Sequence, residues 1–164
     1  MNPALHNIII TLASLIYVFG IVAIMDFAVK KGFPQDLSRK VVHIAAGSWL
    51  IFWLLYDSTH WTKYLNITSS FLWTILLMLK GFTATPDDKA VKTMTRTGNR
   101  KELLRGPLYF TLVMNLFGTM FYSTPYALTA MGFLTWGDGL APVVGTRYGK
   151  HSYKVFSNKT VEGS

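Results

Sequence analysis

The sequence predicts an all-α integral membrane protein, a polytopic helical bundle of about five transmembrane helices making one membrane domain over residues 1–164. Three observations predict it. Of 164 residues, 51% are apolar and only 15% are charged, against about 25% charged in ordinary soluble domains. The apolar residues gather into long runs: Ile8 to Met25 is 18 residues without a charge, close to the ~20 that cross a bilayer core. The basic residues fall between those runs, in alternate loops.

The apolar segments lie at about 7–29, 41–57, 64–80, 107–122 and 126–146. The second and fourth are short for a crossing, which little tilt or locally thinned lipid would accommodate. The third carries Asn66, Thr68, Ser69 and Ser70, as suits a helix packed inside a bundle. All five have to be helical, because an open strand in lipid leaves backbone groups unpaired at several kcal/mol each. Loops at 30–40 and 81–106 and a tail at 147–164 hold fourteen of the sixteen Lys and Arg residues, Lys80 ends the third segment on the same side, and only Lys63 lies in an opposite loop. By the positive-inside rule these loops face the cytoplasm and the N-terminus is outside or lumenal. Within 81–106, Pro86-Asp87-Asp88 reads as a turn or helix start and Thr97-Gly98-Asn99 as a second break.

The composition also excludes chemistry. With no cysteine there is no disulfide framework, thiolate metal site or cysteine nucleophile. A net charge of +8 would suggest nucleic acid in a soluble domain, but membrane topology accounts for these basic residues first, so no nucleic-acid polymer is expected. No Lys or Arg precedes the first apolar run, so the opening of a cleavable signal peptide is missing.

Three segments have residues suited to chemistry. In the first, Arg39, His43 and Gly47 are spaced i, i+4, i+8 at the mouth of the second span, where a cation and an imidazole would hold phosphate. Snorkelling of Arg39 and Lys40, with His43 bonded inside the bundle, explains the same spacing. In the second, Arg96-Thr97-Gly98-Asn99-Arg100-Lys101-Glu102-Leu103-Leu104-Arg105-Gly106-Pro107-Leu108 carries a basic turn into the fourth span. It reads as an anion-binding loop or as a solvated loop that sets topology. The third and most informative is Gly137-Asp138-Gly139, then Pro142, Gly145, Arg147, Gly149 and Lys150, ending in Lys159-Thr160-Val161-Glu162-Gly163-Ser164. Asp138 lies within an apolar run, where an ionised carboxylate is costly and generally functional. Pro142 has no N–H for the carbonyl of residue 138. An acid at the head of a smooth glycine face, followed by cations, suits a Mg²⁺-bound polyphosphate. Tight helix packing through Gly145-x-x-x-Gly149 is the alternative reading of the glycines. Asp26 is placed to neutralise Lys30 one turn on.

Together these segments, over roughly residues 37–164, resemble the polyprenol kinase family: phytol, farnesol and dolichol kinases and the CTP-dependent diacylglycerol kinases. The matching pieces are Arg39-Lys40 with His43 and Gly47; Arg96-x-Gly98 followed by Glu102-Leu103-Leu104-x-Gly106-Pro107-Leu108; and Gly137-Asp138-Gly139-x-Ala141 with Gly145, Tyr148-Gly149-Lys150 and Lys159-Thr160-x-Glu162-Gly163-Ser164. Phosphatidate cytidylyltransferases share a module similar to the last piece. The resemblance implies a CTP-dependent lipid-alcohol kinase that moves the γ-phosphoryl group to a prenyl alcohol of the phytol, farnesol or polyprenol/dolichol class, with Mg²⁺ or another divalent cation as cofactor and the lipid bilayer as its setting. It implies Asp138, Lys159 and Glu162 as catalytic residues, with Asp138 and Glu162 at the metal. Arg39, His43, Arg96, Arg100, Glu102, Gly137, Gly139, Arg147, Gly149, Lys150, Thr160 and Gly163 are then the nucleotide and phosphate contacts. The alternatives are a cytidylyltransferase making CDP-diacylglycerol and a non-catalytic transporter subunit or scaffold. Family members usually continue through further membrane helices beyond the Glu-Gly-Ser, so the sequence also reads as truncated at its C-terminus.

Overall fold

The computed structural model describes residues 2–122, 124–154 and 158–163, with Asn158 and Lys159 described by their backbone. Its first helix, α1 (Pro3–Lys30), opens on the Asn2 side chain, which accepts from the Ala4 amide at 2.9 Å, with Pro3 in the first turn where no backbone donor is required. α2 (Gln35–Gly47) continues directly as a 3₁₀ helix over Ser48–Leu55. A second 3₁₀ segment, Trp61–Ile67, leads into α3 (Thr68–Thr83). The short α4 (Lys89–Met94) and a 3₁₀ turn (Arg100–Leu104) fill the polar stretch before α5 (Gly106–Met120). Finally α6 (Pro125–Gly132), a π-helical turn (Phe133–Gly137) and α7 (Asp138–Tyr148) stack into one interrupted rod.

Each expected span therefore has a helical counterpart, and two of them, Pro3–Lys30 and Trp61–Thr83, are long and apolar enough to cross a membrane. The second expected span is reached differently from the expectation. Its last eight residues are 3₁₀, which rises about 2.0 Å per residue instead of 1.5 Å, so residues 41–55 extend roughly 26 Å where an α-helix would reach roughly 22 Å. The tail departs from the all-α expectation: β1 (Ser152–Lys154) and β2 (Asn158–Thr160) pair antiparallel, with Ser152 opposite Thr160, before a 3₁₀ turn at Val161–Gly163.

The burial pattern inverts that of a water-soluble bundle. The buried face of α1 includes Asn7, Thr11 and Ser14, while Leu5, Ile8, Ile9, Leu12 and Ile16 point outward, Ile16 at 75% exposure. The inward polar groups find partners across helices. Asn7 donates to the Asp57 carbonyl and to Thr62 Oγ1, both at 3.0 Å, and its own oxygen accepts from the Asp57 amide at 2.8 Å. Thr11 meets the Tyr56 hydroxyl at 2.9 Å and Ser14 meets Ser69 at 3.1 Å. Between α3 and α5, Ser70 donates to Asn115 at 2.6 Å, Asn115 to Thr74 at 2.9 Å, and Thr74 to Thr111 at 3.0 Å. Interhelical bonds of this kind contribute about 0.6 kcal/mol each in lipid. Trp49, Trp53, Tyr56, Met114 and Met131 pack the apolar centre among them, and Leu77, Ala84, Val91 and Leu103 form a second cluster under the polar stretch.

Candidate active site

A cavity of about 840 Å³ opens among α1, α2, α3, α5 and the start of α7. Its walls divide by chemistry. Val18 and Val22 of α1, Trp49, Trp73 and Leu77, and Phe110 and Met114 of α5 line an apolar chamber. Arg39, Lys40, His43, Arg96, Arg105, Glu102 and Asp138 line its charged part. The three segments singled out in the sequence are thus brought together on one cavity, although they are separated by some fifty and forty residues of chain.

Local structure explains how each charge is held. The first turn of α2 follows Pro34, and its Asp36 pairs with Arg39 at 2.9 Å and Lys40 at 3.0 Å, i+3 and i+4 on one face. The Lys40 ammonium, then the Arg39 guanidinium, hold the Asp36 carboxyl below the usual carboxylate range. Arg39 Nε is buried without a partner. In the second segment Gly98 adopts φ +76°, the left-handed turn that glycine accepts freely, and Asn99 caps the next 3₁₀ turn by accepting from the Lys101 amide at 2.9 Å. Glu102 reaches back into this turn, accepting from the amides of Arg96 at 2.6 Å and Thr97 at 3.2 Å and from the Thr97 hydroxyl. Burial opposes ionisation of Glu102, but these donors outweigh it and keep its carboxyl below the usual range. Glu102 therefore organises the loop that presents Arg96. The side chains of Arg96 and Arg105 make no ion pair among the described residues.

Asp138 begins α7 with its side chain 76% exposed, and its one ion-pair partner among the described residues is His43, at 3.7 Å from Nε2 to Oδ2. Gly139 is a close-approach position: a Cβ there would overlap Ile44 and stand 3.2 Å from His43 Cδ2, so the missing side chain lets α2 pack directly on α7. Gly137, by contrast, faces open space.

The rest of the third segment lies elsewhere. Arg147, Tyr148, Gly149, Lys150 and Glu162 line a separate recess of about 470 Å³. Glu162 accepts from the amides of Lys150 at 3.2 Å and His151 at 3.4 Å and meets His151 Nδ1 at 2.8 Å. The smooth face of α7 expected to meet polyphosphate is covered by the chain itself: a Cβ on Gly163 would lie 2.6 Å from Gly145 Cα and 2.7 Å from the Ala141 carbonyl oxygen, and Thr160 Oγ1 would lie 2.8 Å from a Cβ on Gly145. Arg100 does not line the cavity, and its guanidinium donates to the Ala84 carbonyl at 3.0 Å. The side chain of Lys159, and Ser164, lie outside the described residues.

Among the described residues no group of three or more His, Cys, Asp or Glu side chains is placed to hold a metal. A divalent cation bound with a nucleotide needs only one or two carboxylates, the phosphates and water supplying the remaining oxygens. Asp138, exposed on the cavity, fits that requirement; Glu162, bonded to its own hairpin, does not. Sequence reasoning placed Arg105 in the basic loop but not among the phosphate contacts, and it missed the apolar walls, whose residues have the same composition as lipid-facing ones.

The fold and site define a helical protein with a two-sided cavity, a charged rim over an apolar chamber. Known relatives say which family it falls in. The chain is 36% identical to a probable chloroplastic phytol kinase 2 of Oryza sativa subsp. japonica over 138 residues, 82% of this chain and 45% of the relative. It is 28% identical to chloroplastic phytol kinase 1 of Arabidopsis thaliana over 99% of this chain and 55% of the relative, and 32% identical to the chloroplastic farnesol kinase of that plant over 89% and 51%. The chain belongs to the polyprenol kinase family, and spans about half the length of the curated relatives it matches. No family model matches it, and no solved structure does.

Proposed function

We propose that the chain is the catalytic region of a CTP-dependent prenyl-alcohol kinase working at a membrane surface. The observation that supports this reading is the two-sided cavity, in which free cations and one exposed carboxylate stand over an apolar chamber. Phosphoryl transfer needs mainly positioning and charge neutralisation, which this rim can supply. Arg96 and Arg105 bind the polyphosphate, Arg39 and Lys40 join them from Asp36, and the prenyl chain lies in the chamber. The alcohol oxygen forms a bond to the γ-phosphorus while the bond from that phosphorus to the β–γ bridging oxygen breaks, its electron pair leaving with CDP. The hydroxyl proton passes to the Asp138 carboxylate and on to water. A divalent cation bound at Asp138 would neutralise phosphate charge. Glu162 serves the hairpin in this reading and stands outside the chemistry. The choice of CTP over ATP rests on the family resemblance.

The test is turnover. The full chain in lipid nanodiscs is given labelled CTP or ATP with phytol, farnesol, dolichol or diacylglycerol. The expected products are a prenyl phosphate and CDP. A CDP-lipid with pyrophosphate identifies a cytidylyltransferase instead, and no phosphorylated lipid from folded protein overturns the kinase.

The inverted burial pattern and the alternating basic loops support a multi-pass bundle, with the N-terminus outside or lumenal and the site on the cytoplasmic face. The absence of cysteine makes this directly measurable. Lys92→Cys and Lys154→Cys are expected to react with an impermeant thiol reagent from the cytoplasmic side only, and His60→Cys from the other side only. Labelling of positions 92 and 154 from opposite sides breaks the topology and the common site with it.

A further inference from the structure

The π-helical turn before Asp138 does something that an uninterrupted α-helix would not. In it the Asp138 amide bonds the Phe133 carbonyl, five residues back, so the Leu134 carbonyl loses its ordinary i+4 donor. That carbonyl instead meets His43 Nε2 at 3.3 Å. A carbonyl only accepts, so Nε2 carries the proton and the tautomer is fixed. The same Nε2 stands 3.7 Å from Asp138 Oδ2, needing to move only about 0.7 Å to reach hydrogen-bond length. The Phe110 ring backs the imidazole at 4.7 Å between centroids, and the bare Gly139 lets it sit against α7.

We infer that His43 is a positioning residue for Asp138 and not a phosphate ligand: the freed Leu134 carbonyl locks its Nε2–H beside the carboxylate, which is thereby held on the cavity rim. The inference rests on the kinase reading for what Asp138 then does. An imidazole that grips phosphate needs a free N–H pointing at the anion, and Nε2–H is already committed to the Leu134 carbonyl, beside Asp138.

The experiment compares three substitutions in the full chain in nanodiscs, with CTP and a prenyl alcohol. His43→Gln puts an amide N–H near the place of Nε2, His43→Asn falls short of it, and His43→Phe keeps the ring contact with Phe110 but has no nitrogen. Expected are losses of roughly 10- to 100-fold in kcat for Asn and Phe, the range for partners that orient a functional group. KM for CTP should stay within about threefold, because an oriented group acts in the transition state. Gln should recover most of the activity. A rise of about tenfold or more in KM for CTP with kcat kept makes His43 a phosphate ligand and overturns the inference, as does a Gln variant no better than Phe. If the Phe variant does not fold, the Asn–Gln pair gives the same decision. A wild-type protein without turnover would sink the kinase reading. The positioning of His43 is then still decided by ¹⁵N NMR of the imidazole, assigned by its loss in His43→Asn. Protonation at Nε2 is expected, and a resting tautomer protonated at Nδ1 alone overturns it.

Discussion

At the cavity rim, Arg96 and Arg105 make no ion pair among the described residues and Asp138 is 76% exposed, whereas around Glu162 the acid accepts two backbone amides and a histidine of its own hairpin. The two regions draw on the same residue types and lie close in sequence, since α7 starts at Asp138 and runs into the recess at Arg147. They differ in what their charges face. On the rim, Arg96, Arg105 and the exposed Asp138 keep functional atoms available to a ligand, while Arg39 and Lys40 pair with Asp36 and Glu102 holds its own turn. In the recess, Glu162 and His151 close a short hairpin onto the glycine face of α7. A polar group can carry chemistry only to the extent that the fold has not already used its bonding capacity.

The sharpest way to break this contrast is Asp138→Asn. The amide keeps the shape and the neighbourhood of His43 but neither accepts a proton nor binds a cation as a carboxylate does. A loss of roughly 100-fold or more in kcat is expected, the scale of a positioned acid–base group, with insertion and folding retained. Turnover and size-exclusion behaviour measured on the same nanodisc preparation check it. Near-normal turnover would place the chemistry elsewhere and remove the distinction between rim and recess.

Much of the architecture was legible in the sequence, for physical reasons. Apolar runs mark the helices, two of which are long and apolar enough to cross a membrane, and the polar residues of the third expected span were read as inward-facing, as Asn66, Ser69 and Ser70 are. Asp88 accepting from the Ala90 amide at 2.9 Å and Gly98 at φ +76° bear out the turn signals at 86–88 and 97–99, and Asp26 does pair with Lys30, at 3.0 Å. The 3₁₀ and π windings were not legible, because both arise from packing between helices. Leu134 looks like any apolar residue, yet its carbonyl fixes His43. Adjacency misled in the last segment: Glu162 and Gly163 follow Lys159 and Thr160 in a motif, but nothing in residue order tells whether a hairpin turns its acid toward a ligand or toward its own amides.

Glu162→Gln gives the smallest expected effect and the most informative one for that last point. If Glu162 shared a metal with Asp138, the substitution would lower kcat about as far as Asp138→Asn. In the arrangement seen here it costs instead part of a hairpin. One carboxylate oxygen accepts from His151 Nδ1 and the other from the two amides, and a glutamine can replace only one of them as an acceptor. Its NH₂ group would then face a donor, and the turn should loosen. A fall in kcat within about threefold is expected, against a clear loss of amide protection across residues 150–154 and 158–163, read by hydrogen exchange corrected for intrinsic rates. The pH dependence follows from the same bonds. The His151 side chain first, with backbone amides, holds the Glu162 carboxyl below its ordinary 4.5. A folded value lower than the unfolded one makes this closure fully present above the unfolded value, and lost only as pH falls through the folded one. Protection of the wild-type hairpin should therefore be flat from about pH 8 to about pH 5 and fall only in stronger acid, while the glutamine variant, with no carboxyl to protonate, loses the acid step. An acid step that persists in the variant would mean that another group closes the recess.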